Sequence, residues 1–214
     1  MSRLCTNPVA LSVLLGLVGP VLASGTDSAK SDATLTVIVF NYADVPSDTL
    51  AEAQRFAEEL FQQAGLGIEW AEPLNAGTQH GRKEPLGRPR FVLRIVPNSM
   101  IGAWAGGHDL LGFSLVPATE EMGSIAGVYQ ERVVELSRRL GGDPAVVLGY
   151  VIAHELGHLL LGADSHSHSG IMSYPFEGRR LVLASQGRLG FTPPQAKRLR
   201  KRLLERSSSS KPSR

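Results

Sequence analysis

The run His154-Glu155-Leu156-Gly157-His158 sets two imidazoles four residues apart with a carboxylate next to the first. On an α-helix, positions four apart rise about one turn and share a face, so both rings reach one point beside the helix. Two nitrogen donors so placed suit a tetrahedral Zn²⁺, and a third protein donor leaves one coordination position open. Glu155 falls beside that point rather than on it. A general base belongs there, to take a proton from the water that attacks in a metal-assisted hydrolysis. Downstream lie Gly162, Asp164, His166 and the run Gly170-Ile171-Met172-Ser173-Tyr174, which hold the candidates for the rest of the site. The chemistry expected is zinc-dependent hydrolysis of peptide bonds.

These residues need a helix to carry them. Asp143-Pro144 is a good start, an N-cap acid followed by proline at the first helical position. Ala145 to Ala153 and Leu159-Leu160-Leu161 flank the motif with apolar side chains, so the helix is expected to be buried, with Gly162 as its stop. Histidines that are only satisfied polar groups of a core helix are the bland alternative. That alternative strands two imidazoles and a carboxylate among apolar neighbours with no evident partners.

Upstream, Thr34 to Tyr42 is rich in β-branched and aromatic residues and predicts a buried strand. Ser47 is expected to cap a helix whose Leu50, Ala53, Phe56, Ala57, Leu60, Phe61 and Ala64 form one apolar stripe, ended by Gly65. Leu66–Trp70 predicts a short strand, and Glu72 to Arg88 a polar loop rich in glycine and proline. Three further strands are expected at Arg90–Val96, Leu111–Val116 and Ser124–Tyr129, the last as the edge strand that holds substrate by strand addition. Thr192-Pro193-Pro194-Gln195-Ala196 opens a final helix to about Glu205. The order gives an α+β fold, a mixed twisted sheet packed on the active-site helix, with a C-terminal helix.

With 214 residues, 43% hydrophobic and 20% charged, the chain has the material for one globular domain with its own core. Residues 1–23 have the form of a secretory signal: Arg3, an apolar run from Val9 to Ala23, and Val21-Leu22-Ala23 as a cleavage site. The run contains Gly16, Gly19 and Pro20, too short and broken for a transmembrane helix, so a secreted protein is expected, with no stable membrane insertion. Cys5 is the only cysteine and lies in this segment, leaving a mature chain with neither disulfide nor thiol nucleophile. Residues 24–33 are polar and expected to be disordered, residues 34–205 form the catalytic domain, and residues 206–214 form a disordered basic tail. Residues 197–214 carry a net charge of +7 and the other 196 residues −5. No aromatic residues interleave these charges, so a solvated terminus is expected rather than a nucleic-acid surface.

Taken together, the motif, Gly162, His166 and the Gly-Ile-Met-Ser-Tyr run resemble a metzincin-type zinc metallopeptidase. The last run is similar to the Met-turn of serralysins and astacins, with Gly170 where they have serine, and the likeness spans residues 34–205. Within that clan the chain is most similar to small secreted bacterial zinc proteases with His-Glu-x-Gly-His, a leucine run, and His-Ser before Gly-Ile-Met. The resemblance implies a zincin fold, Zn²⁺ as cofactor and a peptide or protein substrate. It implies His154, His158 and His166 as metal ligands, Glu155 as catalytic base, Met172 as the floor of the site, and Tyr174 as an oxyanion stabiliser or resting-state ligand. A core aromatic beneath the metal is the other reading of Tyr174.

One departure leaves an alternative. The clan places its third ligand six residues after the second histidine with glycine halfway, and here those positions are Asp164 and Leu161. His166 is preferred because imidazole is the commoner zinc donor, it follows the turn glycine, and Ser167 completes the His-Ser pair. Asp164 is the competitor. His168 ranks lower, as a loop histidine or a group supporting a ligand, and His80 and His108 are assigned no role. A gluzincin-like enzyme would instead take Glu177 as third ligand, but Pro175 argues against a helix to present it. A secreted zinc-binding module without catalysis is the remaining alternative, disfavoured because binding zinc does not require Glu155. A monomer is expected.

Overall fold

The computed structural model describes residues 33–73, 89–100, 110–117, 122–174, 178–185 and 188–209. The expected signal segment, most of the polar loop, His80, His108, Glu177 and the last five residues lie outside them. Strand β1 (Thr34–Asn41), helix α1 (Ser47–Gln63) and strand β2 (Gly67–Ala71) form a crossover unit with β1 and β2 parallel. Strands β3 (Arg90–Val96), β4 (Gly112–Leu115) and β5 (Ile125–Tyr129) complete a five-stranded sheet of order β2-β1-β3-β5-β4. Only β4 runs antiparallel to its neighbour. Helices α2 (Gln130–Leu140), α3 (Pro144–Leu161), α4 (Gly178–Ser185) and α5 (Pro193–Ser209) follow. The fold is thus mixed α and β on a mixed sheet.

Alternation along β1 explains where the core sits. Leu35, Val37 and Val39 are buried while Thr36, Ile38 and Phe40 are half-exposed, so one face of the sheet packs inward. Against that side lies α3, whose length and apolarity would let it cross a membrane. Its burial is that of a core helix, since 89% of it lies inside the protein. Around it pack α1, α2 and α5. Where α1 and α3 meet, a Cβ on Gly149 would lie 2.6 Å from the Ala53 carbonyl oxygen and 2.8 Å from Phe56 Cβ. Overpacking of about 1–3 kcal/mol there exceeds the helix-propensity gain of about 1 kcal/mol for Gly→Ala. Gly149→Ala should therefore lower the free energy of unfolding by up to about 2 kcal/mol, read by chemical or thermal denaturation.

Several local expectations shift in the folded chain. Ser47 is the first helical residue and not the cap; Pro46 occupies the cap position with no side-chain bond, because Pro46 already supplies an extended backbone there. Ala33, expected in the polar lead-in, is buried, and its carbonyl accepts the Gly67 N–H at 3.0 Å. Helix α2 starts directly after β5 without a loop, which hid it from a reading guided by turn signals. Its buried Val133, Leu136 and Ser137 nevertheless carry helical spacing.

The C-terminal helix departs most. It is not frayed from residue 206 but continues to Ser209, and three of its arginines are bound to main-chain carbonyls. Arg198 donates to the Leu161 carbonyl at 3.0 Å, and Arg200 to that of Ala64, both at helix C-termini where orphan carbonyls need donors. Arg206 donates to the Gly123 carbonyl at 2.6 Å and to Ser124 Oγ at 2.8 Å, and its guanidinium lies 4.7 Å from the Phe91 ring centroid. These contacts hold the last turns in place. Ala196, Leu199 and Leu203 form the buried stripe.

Candidate metal centre

Helix α3 begins as the sequence predicts: Asp143 accepts the Ala145 N–H at 2.8 Å and Pro144 stands at the first position. It ends at Gly162, whose φ of 99° a residue with a side chain rarely adopts. The chain then turns back beneath the helix and carries His166 to the same point as His154 and His158. One donor atom from each of the three imidazoles lies within 4.8 Å of the others, a group that Asp164 and His168 do not join. Both are exposed.

The hydrogen bonds around the rings fix which nitrogens face the centre. His154 Nδ1 is 2.8 Å from the Ile171 carbonyl oxygen, which can only accept, so Nδ1 carries the proton. His158 Nδ1 faces the Ser165 hydroxyl at 2.9 Å and the Gly162 carbonyl at 3.2 Å. Ser165 in turn donates to Gly162 at 2.7 Å, so this ring is also protonated on Nδ1. In their neutral forms both rings present a lone pair at Nε2. Burial, and for His154 the neighbouring His158 next, lowers the affinity of both for a second proton, with the His154 pKa at about 4.

Nε2 of His158 nevertheless lies 3.1 Å from Nε2 of His154 and 3.1 Å from Nε2 of His166. The His154 and His158 lone pairs, so close, repel unless a cation lies between them. Tetrahedral zinc with Zn–N bonds of about 2.0–2.1 Å sets its nitrogens ~3.3 Å apart, so this donor set fits the ion. Carbonyls and a hydroxyl on the far side of His154 and His158 are the partners that orient metal-binding imidazoles.

Glu155 lies at the same cleft, 7% exposed. Burial pushes its carboxyl up to about 7 against the lowering effect of the Ser114 hydroxyl, 2.6 Å from Oε2. Oε1 makes no hydrogen bond among the described residues. On the other side of the helix, Met172 is fully buried, and a Cβ on Gly157 would come 2.6 Å from its sulfur. This close approach accounts for glycine inside the motif and places Met172 as packing beneath the site rather than as a donor. The Met172 loop is tied down by Ser167 N–H to the Met172 carbonyl at 2.9 Å and by Gln195 of α5 to Ser167 Oγ at 2.9 Å. Tyr174 is not a core aromatic. It is 49% exposed and stacks on His166 with centroids 5.4 Å apart, because the loop ends at the surface.

The cleft, about 820 Å³, runs between β4 and α2 and is lined by Phe113, Arg132, Glu135 and Arg139 besides the site residues. Its sheet wall is β4 and not Ser124–Tyr129. Strand β5 is paired on both sides, to β3 and to β4, and so has no free edge. Sequence reasoning missed Ser114 and Ser165. Neither has a spacing signal, since each becomes a partner only when the chain closes on itself.

No protein-family model and no curated protein matches the chain. Among solved structures it is similar to an archaemetzincin from Methanopyrus kandleri, 17% identical, the match covering 82% of this chain and 98% of that one with a TM-score of 0.49. It is also similar to a zinc-dependent peptidase from Methanocorpusculum labreanum, 14% identical, covering 76% and 99% of the two chains with a TM-score of 0.49. At such distance the chemistry must rest on the chain's own residues.

Proposed function

We propose that this chain is a secreted zinc-dependent metalloendopeptidase of metzincin type. One observation carries the reading: three imidazole donors converge at a cleft whose buried carboxyl group, among the described residues, is Glu155, a carboxylate that metal binding itself does not require. His154, His158 and His166 would hold the ion. Bound zinc supplies Lewis acidity, lowering the pKa of a water towards about 7 and polarising the scissile carbonyl. Glu155 accepts a proton from the attacking water at Oε1 and delivers it to the leaving amine nitrogen, as the oxygen–carbon bond forms and the carbon–nitrogen bond breaks. Tyr174, exposed beside His166, turns its phenol to the oxygen that gains charge.

The substrate binds as an added strand on β4. The Tyr129 N–H donates to the Leu111 carbonyl, and pairs alternate along the ladder, so Phe113 and Leu115 bond to β5. Gly112 and Ser114 therefore turn their main-chain donors and acceptors to the open edge of the described sheet, which no described strand pairs and where an extended peptide can add. A bound peptide in that position runs beside Glu155. A mixed peptide library digested by the zinc-loaded protein tests the function. Internal cleavage that stops on chelation is expected; stoichiometric zinc with no cleavage would identify a binding module instead.

Export is part of the proposal, supported by the charge, apolar run and small residues of the first 23 positions. N-terminal sequencing of exported protein should begin near Ser24. An intact Met1 on that material would mean a retained anchor.

A further inference from the structure

Ser114 stands where the open edge of the sheet meets α3. Its hydroxyl is 2.6 Å from Glu155 Oε2 and 2.8 Å from the main-chain carbonyl oxygen of the same residue. A serine hydroxyl has one proton to donate and lone pairs to accept with, so this double contact serves both states of the carboxyl. When Glu155 is ionised, the proton goes to Oε2, the charged and nearer acceptor. When Glu155 takes up a proton at Oε1, Oε2 is still an acceptor and keeps the hydroxyl proton, with the main-chain carbonyl as its second acceptor. In either state Oε2 keeps its place, so the carboxyl need not swing during proton transfer.

The glycine two residues earlier reinforces the same contact. A Cβ on Gly112 would come 2.8 Å from Glu155 Oε1 and Cγ and 2.7 Å from the Gly127 carbonyl oxygen. Strand β4 thus presses its backbone against one side of the carboxylate while Ser114 bonds the other oxygen. Meanwhile the main chain of Ser114 faces the open edge.

We propose that Ser114 is a positioning residue: its hydroxyl fixes the rotamer of Glu155, and its main chain links that rotamer to an extended peptide docked on β4. The inference rests on Glu155 being the general base. A base already held in place needs no reorganisation as the water reacts, so losing the hydroxyl should slow the chemical step and leave docking almost untouched.

Threonine and valine at position 114 test this, because they are nearly isosteric, both suit a strand, and differ in the hydroxyl. Zinc-loaded full-length mature chains would be assayed on one peptide that the wild type cleaves, with zinc content and thermal midpoint recorded alongside. Ser114→Val should lower kcat about 10–100-fold relative to Ser114→Thr, with KM within about twofold and one zinc per chain in both. Equal kcat for the two, or a loss confined to KM, would overturn the assignment. Crystals of the same variants give a readout that does not depend on turnover. The Glu155 carboxylate should keep one position in Ser114→Thr and spread or move in Ser114→Val, and an unchanged single position in both would also overturn it. Absence of any cleavage by the wild type would count against the peptidase reading, while the crystals still decide whether Ser114 holds Glu155.

Discussion

Glu155→Gln should keep about one zinc per chain and lose roughly 10²–10⁴-fold in kcat, the range for removing a general base. The exchange is close to isosteric. Ser114 can still donate to the amide oxygen, and the three imidazole donors are untouched. Removing a carboxylate from a site where burial disfavours its charge leaves no unpaired ion behind, so the fold should hold. Metal analysis and a peptide assay on the same preparation read the two effects separately. A variant as active as the wild type would remove Glu155 from the mechanism.

The second large effect belongs to His166. Structural zinc sites bind with about 10–16 kcal/mol shared among four ligands, so one ligand is worth ~3 kcal/mol, about a hundredfold in affinity. His166→Ala should weaken zinc binding by about that factor, measured by competition with a chelator of known affinity. Zinc-dependent stabilisation should fall with it, because binding free energy adds to folding free energy. Asp164→Ala should change affinity less than about twofold, since Asp164 is exposed on the turn and outside the converging donors. The reverse ranking would make Asp164 the ligand.

How far the site was legible depended on which contacts were local. His154, Glu155 and His158 share one helix, so their mutual geometry follows from a periodicity of 3.6 residues. The caps at Asp143 and Gly162 were readable for the same reason, each being a bond or a φ angle set within a few residues. His166 required a choice, because the three residues between Gly162 and His166 have no fixed geometry in sequence alone. Ser114 is 41 residues from the carboxylate it touches, and its strand looks like any other until pairing puts β4 at the edge. The edge itself was misplaced to Ser124–Tyr129 because strand order is a long-range property, and one alternating strand looks much like another. Arginines at the C-terminus read as solvated charge for a similar reason: the carbonyls they cap belong to α1 and α3, far away in the chain.

The three-histidine zinc site is tested most directly by diffraction from zinc-loaded crystals at energies on either side of the zinc edge. One anomalous peak per chain is expected, at about 2.0–2.1 Å from Nε2 of His154, His158 and His166, with Met172 beneath and Glu155 beside it. A peak bound by Asp164 in place of His166, or no peak at the point where the three rings meet, would contradict it.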